Sequence, residues 1–151
     1  MEYFFFLPLK ELLHLYNLII NVNEGTISSS YGIYYEGLGK INVSGGNIIS
    51  TSNGIYNKDG IINISQGNIT STGNGIYNKN GIINISQGNI TSNSIGICNE
   101  GKGKIEISGV DITVSSKSST SYGIYNDTSL GDIIIGELDD DEPSKTNPSI
   151  T

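Results

Sequence analysis

Short apolar runs alternate with Asn-, Ser- and Gly-rich punctuation along most of the chain. Within a run the apolar residues stand at every second position, as in Ile62-Asn63-Ile64 and Ile83-Asn84-Ile85. A period of two places those side chains on one face of an extended strand. Each run is brief, rich in β-branched residues and bounded by Gly or Asn, the signature of strands joined by turns.

The runs belong to a repeat. Gly-Ile-Tyr opens at Gly32, Gly54, Gly75 and Gly123, with Gly96-Ile97-Cys98 as a fifth copy, at steps of 22, 21, 21 and 27 residues. The two central copies, GIYNKDGIINISQGNITSTGN and GIYNKNGIINISQGNITSNSI, are nearly identical. Residues 19–27 match the second half of a unit, 15–17 resemble a first half with a shortened loop, and 132–135 match 104–107. Each unit holds three short strand candidates, which in the central copy are 75–78, 82–86 and 89–92. The inward columns are then Ile76, Ile83, Ile85 and Ile90, with Ile55, Ile62, Ile64 and Ile69, with Ile33, Ile41, Val43 and Ile48, and with Ile97, Ile105, Ile107 and Ile112.

Asn80-Gly81 and Asp59-Gly60 are hairpin signals when taken alone. A unit of three strands, however, would reverse direction from copy to copy in an antiparallel meander, and identical residues would not meet. In a coil each copy lies over the last, and the rest of the repeat supplies the crossover that parallel strands need. The expected fold is therefore all-β, a parallel β-helix or β-solenoid of roughly five to six coils of about 21 residues, with three short strands per coil. Residues 1–14 read as an apolar N-terminal cap with a short helix near Leu9–Leu15, 15–136 as the solenoid, and 137–151 as an acidic tail or linker.

The pattern G-I-Y-N-x-x-G-I-I-N-I-S-x-G-N-I-T-S resembles the β-helix repeats of bacterial adhesin-like surface proteins and autotransporter-type passengers, within the pectin-lyase-like class. The resemblance covers about residues 15–136 and implies a right-handed coil, in keeping with the crossover rule. It also implies a cell-surface or secreted location and Asn side chains stacked into ladders. The column Asn57, Asn78, Asn99 and Asn126 fits such a structural ladder, as does Asn47, Asn68 and Asn89 with Asp111.

Composition narrows the function. The chain has 151 residues and a net charge of -7, with eight Lys and no Arg. It offers no basic patch for phosphates, so nucleic acid is not an expected partner. The run Asp139-Asp140-Asp141-Glu142 reads as a solvated tail. Lys10, Glu11 and Pro8 interrupt the apolar start, which therefore reads neither as a signal peptide nor as a membrane span. The sequons at Asn42, Asn63, Asn68, Asn84, Asn89 and Asn126 arise from the repeat itself. A single Cys98 makes no internal disulfide, and no metal-ligand spacing or cofactor motif is present.

Glycoside hydrolysis needs two carboxylates facing one bond. The solenoid acids Glu36, Asp59, Glu100, Glu106, Asp111, Asp127 and Asp132 are scattered. Glu36, Asp59, Glu100 and Asp127 share the turn after Gly-Ile-Tyr, with Asn80 interrupting. His14 and Cys98 lack catalytic partners, so no catalytic residue is assigned and the chain is not expected to be an enzyme. The candidate ligand-binding residues are Tyr34, Tyr56, Tyr77 and Tyr125, which should form an outward aromatic stripe with Tyr31 and Tyr122 on its rim. The bland reading of that stripe is a self-stabilising ladder of like residues. The function expected first is a non-enzymatic adhesin-like stalk or scaffold that presents side chains to glycans or a host or matrix protein. Alternatives are an accessory or remnant domain of a polysaccharide-processing enzyme and an ice- or surface-binding solenoid with a Thr face, although Ile49 and Asn93 break the Thr columns.

Overall fold

A computed structural model describes residues 18–127, 131–136 and 149–150. The expected N-terminal cap, His14 and the acidic run 139–142 lie outside these residues.

The described chain is a parallel β-solenoid of about five coils, each contributing three strands to three sheets. The first sheet holds β1 (Ile19–Val22), β4 (Lys40–Val43), β7 (Ile61–Ile64), β10 (Ile82–Ile85), β13 (Lys104–Ile107) and β16 (Asp132–Ile135). The second stacks β2 (Thr26–Ser29), β5 (Asn47–Ser50), β8 (Asn68–Ser71), β11 (Asn89–Ser92), β14 (Asp111–Val114) and β17 (Ser149–Ile150). The third stacks β3 (Ile33–Tyr35), β6 (Ile55–Asn57), β9 (Ile76–Asn78), β12 (Ile95–Asn99) and β15 (Tyr122–Asn126). These are the IINI, NITS and GIYN segments of the repeat, in that order.

Register makes every column self-matched. Ile62 pairs with Ile83, Ile69 with Ile90 and Ile55 with Ile76. All sixteen predicted inward positions are buried, and the largest fully buried side chains are all Ile. Burying an Ile side chain contributes roughly 1.5–3 kcal/mol, and here each is covered by the coils above and below rather than by its own coil.

Glycine sets how closely the coils approach. At Gly54 and Gly75, each opening a Gly-Ile-Tyr segment, a Cβ would strike an Ile Cγ2 of the second sheet and the carbonyl of the next coil's Gly. At the corner between the first and second sheets, Gly25, Gly46, Gly67 and Gly88 turn with φ of 88°, 80°, 128° and 133°, a region that Gly enters without a Cβ penalty.

Two departures from the plain repeat are visible. The step of 27 residues from Gly96 to Gly123 adds one residue to the turn between β12 and β13 and places the rest between β14 and β15, where Ser118 and Thr120 close a local turn by bonding each other's side chains. Ser149–Ile150, placed by the sequence in the terminal segment, add a short strand to the second sheet, with Ser149 opposite Asp111 and Ile150 opposite Ile112.

Candidate functional site

The third sheet brings the predicted tyrosines into one column. Tyr34 pairs with Tyr56 and Tyr56 with Tyr77, while Cys98 stands between Tyr77 and Tyr125. In each Gly-Ile-Tyr-Asn segment Ile points in and Tyr points out. The rings of Tyr34 and Tyr56 stack with centroids 4.5 Å apart and planes 8° from parallel. Those of Tyr56 and Tyr77 stack at 5.2 Å and 6°. Tyr31 meets Tyr34 edge-on at 5.4 Å, and Tyr122 stacks on Tyr125 at 5.3 Å.

Cys98 is the gap that its place in the repeat implies, and it leaves a stack of three and a separate pair. The ring faces are also turned on one another along the coil axis, so the stack shows solvent mainly ring edges and hydroxyls. A flat apolar face for a sugar is not what its middle presents.

The phenols are tied to carboxylates. Tyr34 donates to Glu36 at 2.5 Å and Tyr125 to Asp127 at 2.8 Å, in each case two residues on. Tyr77 reaches instead to Glu100 on the next coil, because Lys79 occupies the position two residues on and has no acceptor. The bond to Glu36 pushes the Tyr34 phenol up to about 12. Burial, then the bond to Glu100, raises Tyr77 as well. Cys98 is buried and its thiol is pushed up to about 12, first by burial and then by Glu100 and Asp127. A thiol so far from ionising is a poor nucleophile at neutral pH.

Backbone bonds between coils define the neighbouring charge column. The amides of Lys58, Lys79, Glu100 and Asp127 each bond the carbonyl of the inward residue one coil earlier. The column therefore reads Glu36, Lys58, Lys79, Glu100, Asp127, with two lysines between its acids. Asp59 falls one position further along the turn, where it accepts from Asn80 Nδ2 at 3.2 Å. Among the described residues no three of His, Cys, Asp or Glu gather to hold a metal ion.

Three amide ladders run along the solenoid. The inward one joins Asn57, Asn78, Asn99 and Asn126 at 2.9 Å per rung. Each of its buried amides also closes its own turn, Asn57 onto Gly60, Asn78 onto Gly81 and Asn99 onto Gly103. Asn68 donates to Asn47 and Asn89 to Asn68 on the outside of the second sheet. The third ladder, Asn21, Asn42, Asn63 and Asn84 on the outside of the first sheet, is one that the sequence reading met only as sequons. Its signal was the central Asn of the IINIS run, alternating with inward Ile. Also missed was Tyr35, which replaces the ladder Asn in the first copy. It is buried, and its hydroxyl accepts from Gly39.

Between the first and second sheets lies a polar groove of about 820 Å³ that runs across successive coils. Its floor is backbone at Gly45, Gly46, Gly67 and Gly88, and its rims include Gln66, Gln87 and the ladder Asn47, Asn68 and Asn89. Positive-φ glycines make it by withholding side chains from the corner. In the rungs Asn68 spends one N–H and one oxygen lone pair, Asn47 one lone pair and Asn89 one N–H. The remaining donor and acceptor repeat at the coil spacing of about 4.8 Å.

On the outside of the second sheet, Ser28, Ile49, Thr70, Thr91 and Thr113 form one mixed column. Among the described residues no helix is long and apolar enough to cross a membrane. Compared with models of known protein families, with curated proteins and with solved structures, the chain matches none.

Proposed function

We propose that this chain is a non-catalytic repeat module of a secreted or cell-surface protein, an adhesin-like scaffold whose stacked coils present fixed columns of polar groups to a glycan. The observation that carries the reading is the groove floored by Gly45, Gly46, Gly67 and Gly88, with amides recurring along its rim. Paired amide donors and acceptors at a constant interval suit the hydroxyls of an extended saccharide, and the backbone floor lets such a chain lie close. The tyrosine column is the weaker seat for a sugar, because its rings already cover one another.

The test is a glycan array probed with three proteins. These are the parent, a Gln66→Ala/Gln87→Ala variant that leaves every ladder rung in place, and a variant with Tyr34, Tyr56, Tyr77 and Tyr125 all changed to Ser. Binding lost only with the glutamines assigns the glycan to the groove. Binding lost only with the tyrosines returns it to the aromatic stripe. A folded parent that binds nothing on the array ends the glycan reading and leaves a spacer.

A further inference from the structure

The stack on the third sheet has a chemistry that glycan presentation does not use. Its three phenols are parallel and in register, with ring centroids 4.5 and 5.2 Å apart. Rings that hang from paired strand positions and stack this closely are held next to one another for a reaction between them. Both ends of the stack have a base in place, since Tyr34 donates to Glu36 and Tyr77 donates to Glu100. A phenol that loses an electron becomes a strong acid, so a carboxylate already bonded to its proton eases the oxidation. All three rings reach solvent, Tyr34 most of all at 40% exposure.

We propose that Tyr34, Tyr56 and Tyr77 form an oxidative cross-linking site, where a one-electron oxidant of the peroxidase-and-peroxide class joins tyrosines of adjacent coils by a carbon–carbon bond. Two phenols each give up one electron to the oxidant and one proton, which Glu36 or Glu100 takes at the ends of the stack and passes to water. The two phenoxyl radicals couple at the carbons beside their oxygens. Each of those carbons then loses its hydrogen as the phenol hydroxyl is restored. In sum, two ring C–H bonds break and one C–C bond forms. Two protons and two electrons leave, and they reduce one hydrogen peroxide to two waters. The product is a covalent staple between coils that share no other covalent link but the chain itself.

Sequence makes the test direct, because Lys40 and Lys58 separate the three tyrosines into different peptides after cleavage at lysine. The dilute protein is treated with a haem peroxidase and hydrogen peroxide, then followed by dityrosine fluorescence and by peptide mass spectrometry with fragmentation. The expected result is a monomeric product with Tyr34–Tyr56 and Tyr56–Tyr77 links, each lighter by two hydrogens. Tyr56→Phe keeps a ring in the stack but removes the shared partner, so it should abolish both links and cut the fluorescence several-fold. Glu36→Gln/Glu100→Gln, which leaves every ring untouched, should slow the reaction several-fold while the circular dichroism is unchanged. Links formed only between chains, links that avoid the column, or a Tyr56→Phe yield equal to the parent's would overturn the proposal.

Discussion

Asn57 Nδ2 donates to Asn78 Oδ1 at 2.9 Å inside the solenoid, joining residues 21 positions apart in the chain. The same bond recurs from Asn78 to Asn99, and both residues are fully buried. Each amide serves two neighbours at once, the next coil and its own turn. Asn78→Ala would therefore leave Asn57 without its rung acceptor, Asn99 without its rung donor and the Gly81 carbonyl with only the bond from the Lys104 amide. A buried polar group left unpaired costs about 1–3 kcal/mol. The expected loss is thus at the upper end of point-mutant effects, and a urea melt measures it. Exposed Asn68→Ala also breaks two rungs of similar length but should cost well under half as much, since water replaces the lost partners. Equal losses at the two sites would mean that burial does not govern the ladders.

The fold was legible because the repeat is redundant. Ile62, Ile83 and Ile105 had to share a face by period two, and near-identical copies made one coil over another the only arrangement in which like meets like. What was hidden depends on geometry that spacing does not encode. Four tyrosines at one repeat position predicted one stripe, but the direction of their ring planes follows from stacking. Asp59 looked like a member of the Glu36 column until the pairing of Lys58 with Tyr35 fixed the count. The groove comes from φ at Gly46, Gly67 and Gly88, which the letters S-G-G-N and S-Q-G-N announce only as a turn.

The ladder on the first sheet ends in a mismatch that can be repaired. Its amides donate toward the N-terminus, Asn84 to Asn63 and Asn63 to Asn42. Asn84 Oδ1 is left buried with no partner, and the residue opposite on the next strand is Glu106, a carboxylate without a proton to give. Glu106 instead pairs with Lys104 at 2.5 Å in an exposed salt bridge, worth about 0–1 kcal/mol. Glu106→Asn should extend the ladder by one rung and stabilise the protein by about 0.5–1.5 kcal/mol, less whatever the salt bridge contributed. A thermal melt reads the sign. A clear fall in the midpoint would show that the orphan oxygen is not what limits this rung.

Gly75 and Gly25 should respond to alanine for different reasons. Gly75→Ala drives a methyl into Ile90 and the Gly96 carbonyl at a position without positive φ. Overpacking of this kind costs typically about 1–3 kcal/mol, and here backbone is among the atoms struck. A Cβ at Gly25 meets nothing within 4 Å, but φ there is 88°. The cost of Gly25→Ala is then conformational alone, about 1–2 kcal/mol. Gly25→Asn, which tolerates that region, should recover part of it. No recovery by Asn would exclude backbone strain as the cause at Gly25.

The tyrosines predict how the protein fails in alkali. An unfolded chain releases phenol protons near pH 10, whereas the folded chain holds the Tyr34 proton to about 12 and also holds those of Tyr56, Tyr77 and Tyr125 beyond the ordinary value. Above the unfolded value the unfolded state binds fewer protons than the folded one, so stability falls as pH rises. The contribution is fully present below about pH 10, and that of Tyr34 is lost between there and about 12. Tyrosinate absorbance should rise late in the folded protein, with thermal midpoints falling over the same window. Glu36→Gln removes the largest cause at Tyr34 and should bring that phenol back toward its ordinary value. Tyrosines that titrate together near pH 10 in the folded protein would contradict the stack and its carboxylate bonds.

A solenoid should tolerate the loss of a whole coil and not of a part. Deleting residues 54–74 removes 21 residues and joins Asn53 to Gly75, so that β3, β4 and β5 meet β9, β10 and β11 in the register they already use. Ile33 then stacks on Ile76, Ile41 on Ile83 and Ile48 on Ile90, and Tyr35 takes the place of Asn57 against Asn78. Because stability in such arrays accrues by neighbour interfaces, one interface is lost and the melting midpoint should drop while the β circular dichroism per residue is kept. Deleting only 54–64 removes the third-sheet strand β6 and the first-sheet strand β7 but keeps β8, so part of a coil is left and Ile41 and Val43 lose their cover. That variant should aggregate or melt far lower than the whole-coil deletion. If the two deletions were equally stable, the columns would not be what holds the coils together.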